Sequence, residues 1–160
     1  IVLHDHRVMI PFSPSADVAF VAEPDSAATL AALAGWPDLD TSIGVRSLNG
    51  KATKYVELLG RLAVQHDLDG QALRRAWRLR DCAEVKRLAH RLRGVGSTLG
   101  AVRVAAMAAA LDQPNLNELA VDEVDARVGL LDGALQALLR GLYERASIGD
   151  GASGSDPADD

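Results

Sequence analysis

The chain has 160 residues, 48% of them hydrophobic but only 4% aromatic, and a formal net charge of −5. That length suits one domain with a real core, the Ala- and Leu-rich apolar fraction suits closely packed helices rather than sheets, and the acidic balance argues against nucleic acid as a partner. The lone Cys82 excludes an internal disulfide and fits a reducing compartment; no apolar run is long enough to span a membrane and no secretory leader pattern is present.

Residues 1–24 show no helical period and are broken by Pro11 and Pro14, so they read as a linker or lead-in. His4-Asp5-His6 within them has the look of a metal half-site or a His–Asp hydrolase motif. No further His or Asp constellation supports either, and the expectation is no metal site. Asp25 and Ser26 can cap a short helix running to Leu33 and ended by Gly35. Trp36-Pro37 forces an extended step, with Trp36 as a core plug. Asp40 or Thr41 can start a second short helix carrying Ile43, Val45 and Leu48, stopped by Asn49-Gly50.

A stronger helix is expected from Lys51 to about His66, where Tyr55, Leu58, Leu59, Leu62 and His66 share a face. His66 reads as a structural or capping residue rather than a reactive one. Asp69-Gly70 reads as a turn, followed by a helix from Gln71 to Arg80 with Leu73, Ala76, Trp77 and Arg80 facing in and the other arginines solvated. Asp81 caps the next helix, and Gly100 ends it. Ala101 to Leu111 is an alanine-rich helix with Met107 as core filler, closed by Gln113-Pro114-Asn115, and Leu116 to Ala120 is a loop or single turn. The last helix runs from about Val121 to Ala146. Its leucines at four-three spacing fit one member of an antiparallel bundle better than a coiled-coil seam, because only about three heptads are present. The Gly/Ser/Asp-rich tail, 147–160, is expected to be disordered. Together these elements imply an all-α, antiparallel up-down four-helix bundle with one or two short helices in front.

The stretch from Ala89 to Ala101 is built to hold one histidine in water. At about 100° per residue, Val85, Leu88, Ala89, Leu92, Gly96 and Leu99 fall on one apolar stripe. By the same arithmetic His90 lies roughly 150° from its middle. Lys86 is one turn below His90 and Gly94 one turn above, with Arg93 and Ser97 on the flank. Two glycines inside a helix cost about 1 kcal/mol each relative to Ala. Close helix packing accounts for Gly96, on the stripe. Gly94 faces solvent, where its missing side chain leaves the imidazole open to an approaching protein. Lys86 and Arg93 put positive charge beside the ring and would pair with a phosphoryl group attached to it.

The segment "LAHRLRGVGSTLGA", Leu88 to Ala101, resembles the signature of histidine phosphotransfer (HPt) domains, in which a phospho-accepting His is followed by x-x-Lys-Gly and then by hydrophobic-Gly-Ala. The upstream "LAGWPDLDTSIGVRSLNGKATKYVELLGRL" is similar to the entry of such domains, with a Pro-x-hydrophobic-Asp turn and a Tyr-x-x-Leu-Leu helix in the same order. The likeness covers roughly Trp36 to Tyr143, about two-thirds of the chain. It departs from the pattern at Arg93, where Lys is usual; Arg keeps the charge and offers phosphate a planar fork.

The resemblance implies an HPt domain over residues 25–146, with His90 as phospho-acceptor, Arg93 and Lys86 assisting it, and Gly94, Ser97 and Arg87 at the partner-docking surface. It implies a phosphoryl carrier without an ATP site or a cofactor of its own. Mg²⁺ would come from the partner, a receiver domain of a response regulator or of the same hybrid kinase. It also implies a cytoplasmic setting, at the C-terminal end of a bacterial hybrid sensor histidine kinase in the inner membrane; a start at Ile1 rather than Met fits a segment of such a protein. No phosphate-binding Gly-loop follows a strand anywhere in the chain. The competing expectation is a protein-binding module that docks a partner enzyme or regulator through its helical face.

Overall fold

The computed structural model describes residues 26–154, and among these residues there are six α-helices, one 3₁₀ turn and no strand. The lead-in with His4-Asp5-His6, Asp25, and the last residues of the tail, 155–160, lie outside the described residues. Two short helices come first, α1 (Ser26–Leu33) and α2 (Thr41–Ser47). Asp40 starts α2: its carboxylate accepts from the Ser42 N–H at 3.0 Å, satisfying a donor that the first turn leaves open. Asn49 and Gly50, both at positive φ, end that segment.

Four helices then form the bundle: α3 (Ala52–Arg78), α4 (Cys82–Leu99), α5 (Val102–Ala109) and α6 (Val121–Gly154). Each packs on two of the others, in the ring α3–α4–α5–α6. Asp81 caps α4 by accepting from the Glu84 N–H at 3.0 Å, and Gly100 closes it in the left-handed conformation. Leu59 and Leu73, Leu88 and Leu92, and Leu131, Leu135 and Leu138 meet in one apolar core, with Leu33 and Leu39 reaching in from the front segment. No helix among the described residues is long and apolar enough to cross a membrane.

Two expected helices are one. α3 runs unbroken through Asp69-Gly70, where the sequence suggests a turn. Both residues are buried, and the Asp69 carboxylate does not turn back on its own backbone. It accepts from His66 Nδ1 at 2.8 Å and from the Arg91 guanidinium of α4. Gly70 sits under the Arg74–Asp132 ion pair that ties α3 to α6 at 2.6 Å; a Cβ there would stand 3.3 Å from Asp132 Oδ1. Tertiary contacts on both sides thus outweigh the helix-breaking preference of the pair. Arg80 does not face in: it is exposed at positive φ in the α3–α4 turn, its guanidinium 4.2 Å over the Trp77 ring. α5 stops at Ala109, short of Leu111, and α6 continues past Ala146 to Gly154. The 3₁₀ turn is Leu116–Glu118.

Burial alone would raise the pKa of Asp69, but the hydrogen bond from His66 and the charge of Arg91 outweigh it and hold the carboxyl below its ordinary range. A group depressed on folding adds stability above its unfolded pKa of about 3.9, and that contribution is lost as pH falls through the folded value. Asp69→Asn should therefore cost about 1–3 kcal/mol at pH 7, and its deficit against the parent chain should shrink at pH 3. Urea unfolding at the two pH values checks this; a deficit that does not change with pH contradicts it.

The front segment clamps the far end of α4. The Asp40 N–H donates to Gly100 O at 2.7 Å, and the fully buried Tyr55 hydroxyl donates to Leu99 O at 2.7 Å. Gly100 has φ +83°, and any Cβ on it would collide with the Asp40 carbonyl. Gly100→Ala should cost at least about 2 kcal/mol, combining left-handed strain with overpacking against backbone. A urea midpoint equal to the parent's would contradict this. Trp36 lies half-buried on Gly141, its ring capped by Arg145 at 4.3 Å.

Candidate functional site

His90 stands on the outer face of α4 because the stripe beneath it is committed to the core: Val85, Leu88, Ala89 and Leu92 are all buried. Its side chain is 79% exposed. Gly94, one turn on, has nothing within 4 Å of the position a Cβ would take, so packing gives no reason for a glycine there. Gly96 is different: its Cβ would stand 3.1 Å from Ala101 O and Ala105 N, which is the close approach of α5 to α4.

The sequence places only basic groups around His90, and the structure adds an acid. Asp112 Oδ2 lies 2.9 Å from His90 Nδ1 and 3.2 Å from Arg93 Nη1. The carboxylate is delivered by the turn after α5. There Leu111 is buried in the core, and the Leu111 and Asp112 N–H groups both donate to Ala108 O at 3.0 Å. The Asp112 side chain is 11% exposed. The hydrogen bond from His90 is the largest influence on its carboxyl and, with the smaller contributions of Arg93, holds it below the ordinary range against desolvation, which ranks second and opposes. An ionised carboxylate can only accept, so Nδ1 of the neutral ring carries the proton and Nε2 keeps its lone pair.

The other expected site residues share this face. Arg93 is about half exposed and shares Asp112 with His90 instead of standing free. Lys86 is partly buried one turn below the ring, and Ser97 is exposed on the flank. Arg87 is turned toward Glu84, which it grips with two hydrogen bonds of 2.9 and 2.5 Å. His66 is not part of the site: it is 2% exposed and lies on α3. Asp112 is the member that sequence reasoning omits. Its only local signal is an acid between a buried Leu and Gln113-Pro114, which does not say which helix it faces. Chemically, the arrangement presents an oriented imidazole nitrogen to a partner in solvent, flanked by cations suited to a phosphoryl group.

Comparisons with curated proteins and with solved structures gave no match. A family model, Hpt domain, matches residues 57–145, which contain His90, Arg93 and Asp112 and leave the entry segment Trp36–Val56 outside. That match spans more than half of the chain, and the protein belongs to the Hpt domain family, whose members carry phosphoryl groups on histidine in phosphorelays and work with receiver domains.

Proposed function

We propose that this chain is the relay step between two receiver domains. His90 Nε2 attacks the phosphorus of an aspartyl-phosphate on the first receiver. A nitrogen–phosphorus bond forms as the phosphorus–oxygen bond breaks, and the receiver's carboxylate leaves. The Nδ1 proton stays on the ring, held by Asp112. The second receiver's aspartate then takes the phosphoryl group by the reverse displacement. The receiver supplies Mg²⁺ and most of the charge stabilisation, while this chain supplies an exposed, pre-oriented nucleophile. Arg93 and Lys86 offer charge to the phosphoryl oxygens, and Gly94, Ser97 and Arg87 belong to the surface the receiver covers. The setting is the cytoplasm, and one of the two receivers belongs to the same bacterial hybrid kinase; this rests on the resemblance in sequence.

The observation that carries this reading is the pairing of an exposed His90 with an acid on Nδ1, which turns Nε2 outward as the free nitrogen. The test is incubation with ³²P-labelled phospho-receivers, profiled singly. Acid-labile, base-stable label is expected on the parent chain and none on His90→Gln. Label that persists on His90→Gln, or no uptake from any receiver, would overturn the reading. The docking-module alternative predicts that partner function survives His90→Gln.

A further inference from the structure

How readily a phosphoryl group leaves His90 depends on where the ring proton sits. When the nitrogen–phosphorus bond breaks, its electron pair returns to Nε2. With a proton on Nδ1 the ring leaves as neutral imidazole. With Nδ1 bare it must leave as an imidazolate anion, a far poorer leaving group. Just after uptake the ring is formally cationic, with the phosphoryl group on Nε2 and the proton still on Nδ1. Loss of that proton to solvent would lock the phosphoryl group in place.

Asp112 stands against that loss. Its Oδ2 lies 2.9 Å from Nδ1. Without the proton, a ring lone pair would face a carboxylate oxygen at that distance with no donor between them. With it, a ring cation is paired to an anion that is nearly buried and so weakly screened. The cations on this face act the other way. Arg93 shares Asp112 at 3.2 Å, and Lys86 lies one turn below the ring. A phosphoryl group on Nε2 gives both a second anion to pair with, while Arg87 is held by Glu84. We infer that Asp112 keeps the Nδ1 proton on the phosphorylated ring and so makes phospho-His90 a short-lived carrier that passes its phosphoryl group on rather than storing it. This rests on His90 as the phospho-acceptor. In discharge the phosphoryl group moves to a carboxylate oxygen of the receiver, or to water, and the ring is left as the neutral Nδ1–H form that began the cycle.

The test loads the full chain with potassium phosphoramidate, a small phosphoryl donor that needs no receiver. The ³¹P signal of phospho-His90, assigned by its absence in His90→Gln, is followed as it decays at a series of pH values. Asp112→Asn is the variant, because its amide oxygen still accepts from Nδ1 and keeps the ring oriented, so that only the charge is removed. Discharge slows with rising pH in both chains as Nδ1 loses its proton. The fall in the parent should lie at least about one pH unit to the alkaline side of the variant's, so that at about pH 8 the parent discharges about tenfold faster. Ring ¹⁵N spectra at that pH should show Nδ1 protonated to a greater extent in the parent, a difference that orientation alone would not produce. In strong alkali the chain unfolds, Asp112 no longer faces the ring, and the label is base-stable. The inference is overturned if the two pH profiles coincide, or if the variant discharges faster than the parent. Uptake from a receiver is measured separately, so a failure of relay and a failure of this inference are told apart.

Discussion

Gly94→Gln should melt higher than the parent chain and yet fail to take phosphate from a receiver. The position is solvent-facing with nothing within 4 Å of a would-be Cβ, so a side chain fits without strain. Replacing a mid-helix glycine by a good helix former gains about 0.5–1 kcal/mol, which raises Tm by a few degrees, roughly 2–5 °C, for a domain of this size. The same side chain stands one turn above His90, where the receiver would have to close over the ring in the proposed relay. Holding the reacting atoms apart by about an ångström is enough to slow transfer by about 10²-fold. A melting temperature and a transfer time course on the same variant check both signs. A higher Tm with transfer at the parent rate would remove the steric argument and favour docking without relay.

Asp112→Ala should leave the bundle intact and slow phosphate uptake by about 10- to 100-fold, by analogy with metal-bound histidines that lose the acceptor fixing their tautomer. Asp112 is a positioning residue: it acts on the phosphoryl group only through His90 and Arg93. Without it, the Nδ1 proton has no fixed partner, and the ring populates both tautomers and more than one rotamer. A merely structural role would not move the ¹⁵N tautomer signature of His90, so that spectrum is measured beside the rate. Asp112→Asn, whose amide oxygen can still accept from Nδ1, should recover part of the activity. Parent-like rates in Asp112→Ala, or an unchanged tautomer spectrum, would show that the contact is idle.

Much of the bundle is legible in the sequence because it is periodic. The stripe from Val85 to Leu99 fixes which way α4 faces, and with it the exposure of His90. Gly96 and Gly94 separate correctly into a packed and an open glycine because one is on that stripe and the other is not. What periodicity cannot carry is any contact between helices. Asp69-Gly70 has the composition of a turn, and only Arg91 on α4 and the Arg74–Asp132 pair with α6 explain why the helix continues through it. Asp112 is hidden for the same reason. It lies beyond α5, and its partner is a residue on α4 that no local spacing connects to it.

The clamp on α4 bears on which stretch of chain unfolds as a unit. The family match starts at Glu57, but Leu33, Leu39 and Tyr55 are buried in the shared core and precede it. Helix α4 is also held at its C-terminal end by Asp40 and Tyr55. Amide hydrogen exchange near Leu99 and Gly100 should thus report opening of the front segment as much as fraying of α4 itself. The cooperative unit that presents His90 begins at α1, and the residues that define the family are only part of that unit.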